Sequence, residues 1–256
     1  MSLVFQALAG LALLLPSAAG AQAMRAKVLK SAEAAKPKVA SGAKATPAER
    51  EPSISRSVAA TRVAEWVATS GDNRSLPYAI IDKTTASLSL FDGTGRALDA
   101  VPVLIGIAGG DDATPGVGSK TLAEIGPAEK TTPAGRFLAK FGIPFRGERI
   151  LWVDYATSVA IHPIPTDAAR KDRRRERMLS PTPDDNRITF GCINVPKAFY
   201  AKLLRTQFRK KGGYVYVLPD TRPIEEVFPR LRVHALMNGN AKPEHETSAG
   251  SAPTGI

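Results

Sequence analysis

Arg187–Tyr200 reads RITFGCINVPKAFY, and these fourteen residues hold a strand-like run, a glycine turn and the start of a helix. RITF carries β-branched and aromatic residues, Gly191-Cys192 interrupts it, and Pro196 suits the first turn of a helix. Downstream, Phe199, Leu203, Leu204 and Phe208 recur at helical spacing, so PKAFYAKLLRTQF predicts an amphipathic helix. Cys192 is the only cysteine in 256 residues. By residue type it could be a packing residue, a stray thiol, a metal ligand or a nucleophile. A thiol near a helix N-terminus feels the positive end of the helix dipole, which favours the thiolate. Gly191, lacking a side chain, lets backbone and substrate approach closely.

Outward from this stretch the pattern is one of short strands. YAIIDK and ASLSLFD are followed by ALDAVPVLIGIAGG, and ERILWVDYATSVAIHP predicts a hairpin with Ala160 and His162 on one face. The alternation Ser87-Leu88-Ser89-Leu90 predicts a strand with one wet face. SVAATRVAEWVATS predicts an opening helix with Val58, Val63, Trp66 and Val67 on one side and Gly71 as its stop. GGYVYVLPD closes as a strand. These elements predict a mainly β domain (α+β) with a few helices, not an alternating βαβ chain. PGVGSK, Pro115–Lys120, lacks the Gly-x-x-x-x-Gly-Lys-Ser/Thr spacing of a phosphate loop and predicts a glycine-rich turn.

The ends differ from the middle. Residues 1–23 form a short apolar run ending in small residues, the pattern of a secretory signal peptide, although no Lys or Arg precedes Arg25. Residues 24–56 hold eight basic and three acidic residues and no aromatic, which predicts a disordered basic linker. Residues 238–256 read as a disordered tail. The remaining 57–237 are 181 residues, enough for one domain. Export predicts a periplasmic or cell-envelope location and sets nucleic acid aside as a partner. The net charge of +11 then suits an anionic wall polymer or membrane surface. In such oxidising surroundings structural cysteines come in pairs, so a lone one is either buried and inert or kept for reactivity.

A thiol nucleophile needs a base, normally histidine. Of the three histidines, His245 lies in the tail, His234 near the domain end, and His162 where SVAIH meets a loop at Pro163. His162 equally fits a satisfied histidine at a strand end, and spacing alone leaves His234 open as the base. One Cys and three scattered His show no zinc-type spacing, so no metal is expected.

Thr189-Phe190-Gly191-Cys192-Ile193-Asn194 with His162 upstream resembles the catalytic motif of the L,D-transpeptidases, the YkuD-type domain. That signature is a His, a spacer, then Ser/Thr-His-Gly-Cys-hydrophobic-Asn/Arg. KTTPAGRF, Lys130–Phe137, resembles the family's Thr-Pro-x-Gly-x-Phe segment, and the opening strands and GGYVYVLP also fit in order. The resemblance covers about Pro77 to Pro219. It implies a β-sandwich domain and a cysteine acyltransferase that needs no cofactor. The donor would be a peptidoglycan tetrapeptide stem, and the acceptor an amine on a second stem or a protein. Cys192 would be the nucleophile and His162 the base; Gly191, Thr189 and Asn194 would shape the turn and the oxyanion site.

Two departures stand out: Phe190 occupies the motif's histidine position, and 29 residues separate His162 from Cys192, more than is usual in the family. The extra length holds RKDRRRER, Arg170–Arg177, with six basic and two acidic residues. It is either a solvated charged face or a rim that attracts stem-peptide carboxylates, with Arg173, Arg174 and Arg187 as candidates. A hydrolase on the same scaffold, such as an L,D-carboxypeptidase or amidase, and an inactive peptidoglycan-binding protein are the alternatives.

Overall fold

The computed structural model describes residues 54–142, 149–166 and 171–237. The expected signal segment, the linker up to residue 53 and the tail from residue 238 lie outside them, as does part of the 166–187 insertion.

The chain opens with helix α1 (Val58–Ser70). The Ser57 hydroxyl caps it by accepting from the Ala60 N–H at 3.0 Å, and Gly71, at φ +66°, ends it with its N–H on the Val67 carbonyl. Its buried face is Ala60, Val63, Ala64, Trp66 and Val67. Val58 is not on that face; it is 87% exposed, because the buried stripe starts at Ala60 and Val58 points away from it.

Strands β1 (Tyr78–Asp82), β2 (Ser87–Phe91), β3 (Ala97–Pro102) and the short β4 (Ile105–Gly106) follow. After a long loop come β5 (Gly135–Phe141) and the hairpin β6 (Leu151–Asp154) and β7 (Val159–Pro163). Helix α2 (Arg174–Met178) lies in the insertion before β8 (Arg187–Thr189) and β9 (Ile193–Val195). Helix α3 runs through consecutive segments Lys197–Phe199, Tyr200–Leu204 (π-type) and Arg205–Phe208. Then come β10 (Gly213–Val217), α4 (Ile224–Val227) and α5 (Arg230–Met237). The fold is mainly β with a few helices, α+β as the sequence predicts.

Eight strands join in the order β3-β2-β1-β10-β5-β6-β7-β9, and β4 pairs with β8 apart from them. The β1–β10, β7–β9 and β4–β8 pairs are parallel, the others antiparallel. A parallel pair requires a crossover, and the 166–187 insertion lies in the β7–β9 crossover. The sheet curls over one main core: Leu88 and Ala79 from one end meet Ile161 and Ile193 from the other in a single apolar cluster, two layers of a sandwich. The opposite face of β1 and β10 (Tyr78, Ile80, Tyr214, Tyr216) packs under α1 together with Phe228 and Leu231. The expectation of a wet face on β2 is corrected: Ser87 and Ser89 are each 4% exposed, on a strand flanked by β1 and β3, with the Ser87 hydroxyl 2.8 Å from that of Thr85.

Two points of packing decide where the site lies. Ile161 and Ile193 are opposed on β7 and β9 and both fully buried. Each is worth about 1.5–3 kcal/mol of burial, and a one-residue slip would turn both outward. The Pro115–Lys120 stretch is a turn with a 3₁₀ segment, Val117–Ser119, rather than a phosphate loop. It packs onto the β6–β7 turn, where the Ser158 hydroxyl donates to the Gly118 carbonyl at 3.1 Å. A side chain at Gly118 would meet the Ala156 carbonyl oxygen at 2.1 Å.

Candidate active site

The β7–β9 register places His162 opposite Asn194. Alternate residues of paired strands share a face, so with Ile161 and Ile193 turned into the core, His162 and Asn194 turn the other way, and Cys192 lies in the turn just before β9. The two residues that the sequence separates most widely within the motif thus stand on adjacent strands at the sheet edge. His234, the other candidate base, sits elsewhere: its Nε2 lies 2.8 Å from the Thr69 hydroxyl on α1.

The turn before Cys192 is held from both sides. Gly191 has φ +120°, and a Cβ there would meet the Thr131 carbonyl oxygen at 2.6 Å, so glycine is required both by conformation and by space. The Thr189 hydroxyl donates to the Cys192 carbonyl at 2.6 Å and accepts from the Gly191 N–H at 3.2 Å. Thr132, buried, donates its hydroxyl to the Gly191 carbonyl at 2.8 Å and accepts from the Gly106 N–H at 2.9 Å. The sequence reading missed Thr132. Its only signal was membership of the KTTPAGRF segment.

Cys192 itself is half-buried, with Sγ 3.6 Å from the Ser158 carbonyl. Burial pushes the thiol above its ordinary pKa, while the Ala160 backbone and the Arg174 guanidinium pull the other way. The expected help from a helix N-terminus does not materialise. INV forms β9 instead of leading into the helix, and Pro196 caps α3 only beyond that strand. Phe190 is 37% exposed, and its ring is capped by the Lys130 ammonium at 3.9 Å from the centroid. At this position the chain therefore carries a cation over an aromatic face.

His162 Nδ1 lies 2.8 Å from the Pro163 carbonyl, and its Nε2 lies 3.3 Å from Asn194 Nδ2. Asn194, 1% exposed, accepts at Oδ1 from Arg174 at 2.9 Å. The three candidate arginines have different surroundings. Arg174 is inserted at the site, and its Nε and NH2 donate to Asp172 at 3.1 Å each. Arg173 is exposed and pairs with Glu176. Arg187 donates to Asp220 at 2.8 Å, away from the turn. The insertion is fastened by buried Met178 and by Asn186, whose amide donates to the carbonyls of Met178 and Val103. Among the described residues no group of three or more His, Cys, Asp or Glu side chains could hold a metal ion.

No protein-family model matches the sequence. No curated protein matches it either. Solved structures do. One is an L,D-transpeptidase from Xylanimonas cellulosilytica, at 16% identity over 56% of this chain and 60% of that one, with a TM-score of 0.35. Another is the helical cell shape determining protein Pgp2 from Campylobacter jejuni, at 16% identity over 62% and 55% of the two chains, with a TM-score of 0.40. A third is the catalytic domain of the E. faecium L,D-transpeptidase, at 19% identity over 55% of this chain and 95% of that domain, with a TM-score of 0.33. The first two matches span 60% and 55% of the neighbour's own length. Solved proteins to which this chain is similar thus include L,D-transpeptidases and a cell-shape protein.

Proposed function

We propose that the chain is an exported L,D-transpeptidase-type acyltransferase with Cys192 as nucleophile and His162 as base. The observation that carries this reading is the β7–β9 register, which sets His162 and the glycine-braced Cys192 turn on one face of one sheet edge. The donor is a peptidoglycan tetrapeptide stem in the periplasm or cell envelope. His162 takes the Sγ proton, and Sγ attacks the carbonyl of the third stem residue. The bond to the terminal D-alanine breaks as that proton passes to its departing nitrogen, leaving a thioester. An amine from a second stem or a protein then attacks the thioester carbonyl, forms the new amide and returns a proton to Sγ. Attack by water in its place makes the enzyme a carboxypeptidase.

Gly191 already gives its N–H to Thr189, so the Cys192 N–H is the oxyanion donor in this reading, worth about 3 kcal/mol in the transition state. Thr189 and Thr132 hold the turn, and Asn194 orients His162. Of the arginines, Arg173 is the one exposed to a stem carboxylate.

Intact-mass spectrometry of the chain incubated with a disaccharide-tetrapeptide tests the reading. The expected result is a thioester adduct on the wild type, with none on Cys192→Ala. Wall binding without adduct or product would replace the enzyme by a peptidoglycan-binding protein, with Phe190 under Lys130 marking the altered site.

A further inference from the structure

The insertion does more than lengthen the β7–β9 crossover. It brings one guanidinium to the buried Asn194, and the donor and acceptor rules at that contact propagate to the histidine. A guanidinium only donates, so Arg174 fixes Oδ1 of Asn194 toward itself. The Nδ2 end is thereby turned to His162 Nε2. An amide nitrogen likewise only donates, so Nε2 must present its lone pair. At the other ring nitrogen the Pro163 carbonyl only accepts, so Nδ1 must carry the hydrogen. Both contacts select the same tautomer, neutral with the proton on Nδ1.

We propose that Arg174 is a positioning residue of the Cys192 site: through Asn194 it fixes the Nδ1-protonated form of His162, and its charge supports the Cys192 thiolate. The inference rests on the reading of Cys192 and His162 as the reacting pair. With Nδ1 occupied, Nε2 carries the one basic lone pair of the ring, and it takes the proton from Sγ as the Asn194 N–H swings out of that lone pair. Once it does, Nε2–H faces the Asn194 N–H, and the amide cannot turn over because Arg174 holds its oxygen. The protonated histidine is left without an acceptor from Asn194, which favours passing the proton on to the departing amine.

The charged and titratable groups nearest the thiol among the described residues come from three elements. On β7 His162 pairs with Asn194, two residues on from Cys192; the insertion brings Arg174 with its partner Asp172; and from the loop before β5 Lys130 lies over the neighbouring Phe190. Asp172 holds two of the guanidinium nitrogens, so the third points at Asn194 as a fixed donor rather than a mobile one. Burial alone would keep the thiol protonated; the Ala160 backbone opposes it first, and the Arg174 charge adds to that.

The test needs no peptidoglycan, because Cys192 is the only thiol in the chain. The rate of iodoacetamide alkylation is measured from neutral to alkaline pH on the full chain, alongside ¹⁵N shifts of the His162 ring. Arg174→Met should move the alkylation midpoint to higher pH and slow the reaction at neutral pH by about tenfold, the scale of one nearby charge. It should also mix the two ring tautomers. Arg174→Lys should recover most of the rate while leaving the tautomers mixed, since an ammonium restores charge but not the fixed fork. Should Arg174→Met fold poorly, Asp172→Asn/Arg174→Met removes the stranded carboxylate and is read in the same way. A folded variant with the wild-type alkylation profile and a wild-type tautomer overturns the inference, even if its thermal stability falls. A shifted profile in a protein that never forms the tetrapeptide adduct leaves Arg174 in place and overturns the transpeptidase reading instead.

Discussion

Two of the polar centres in this domain, one around Lys83 and one around Cys192, are built on opposite terms. Around Lys83 every valence is filled: its ammonium donates to the Gly110 carbonyl at 2.6 Å, Asp111 at 3.0 Å and the Thr132 carbonyl at 3.1 Å. Asp111 in turn accepts from the N–H groups of Asp220, Thr221 and Arg222 and from the Thr221 hydroxyl. Asp220 also pairs with Arg187, and the Arg222 guanidinium lies 3.9 Å from Asp111, so three cations face two carboxylates. Around Cys192 the polar groups are fewer, the thiol is half-buried, and its strongest perturbation is loss of water. A saturated charge cluster fixes geometry, whereas a partly open one can exchange partners with a substrate. Thr132 joins the two, since its carbonyl belongs to the Lys83 cluster and its hydroxyl holds Gly191. The closed centre braces the open one.

The comparison breaks most completely at the thiol. Cys192→Ala should abolish both the tetrapeptide adduct and alkylation, while urea denaturation shows stability within about 1 kcal/mol of wild type, since surface-side substitutions cost little. Lys83→Met should do the reverse. It strands buried carboxylates and is expected to cost about 3–5 kcal/mol in urea denaturation, with activity lost only as the fold is lost. The same cluster sets the acid limit. Burial would raise Asp111, but the Asp220 and Arg222 N–H groups, the Thr221 hydroxyl and Lys83 together hold it far below the usual carboxylate range. A depressed carboxylate contributes stability that is present above its unfolded pKa of about 3.9 and is lost as pH falls toward the folded value. Acid titration of Lys83→Met should therefore show a midpoint displaced to higher pH.

Thr132→Val sharpens the link between the centres. It leaves the Gly106 N–H and Gly191 carbonyl unpaired in a buried site, which costs about 1–3 kcal/mol, and the alkylation rate should change with it because the turn loses its brace. Smallest is Lys130→Met. Removing the ammonium from the Phe190 face should change stability by about 0.5–1 kcal/mol, and the alkylation pH profile should stay close to that of wild type. A large shift in that profile would transfer to Lys130 the charge effect assigned to Arg174.

Periodicity and residue type made several elements legible without coordinates. The helix beginning at Pro196, the β6–β7 hairpin and the α1 stop at Gly71 are local features, fixed by spacing, proline and glycine within a few residues of themselves. The glycine before Cys192 was legible for the same reason: a left-handed turn needs that residue whatever surrounds it. Faces were less legible. Ser87 and Ser89 alternate as a wet strand does, yet both are buried on a strand flanked by β1 and β3, and burial by distant parts of the chain leaves no mark in the strand's own pattern. INV after Cys192 read as the way into a helix, but pairing with β7 and with Leu104 made it a strand, which removed the helix dipole from the thiol.

Long-range pairing decided the rest. Basic residues in Arg170–Arg177 look alike in sequence, and only the docked crossover separates Arg174, held between Asp172 and Asn194, from the exposed Arg173. Arg187 reads as one more surface arginine until Asp220, 33 residues on, claims it. The sequence by itself determined the strand-rich class, the lone thiol and the glycine turn that carries it, because these depend on residue identity and short spacing. The tertiary structure decided which arginine reaches the site, which threonine braces the turn and which partner meets each ring nitrogen, because hydrogen bonds and desolvation depend on distances that chain order does not set.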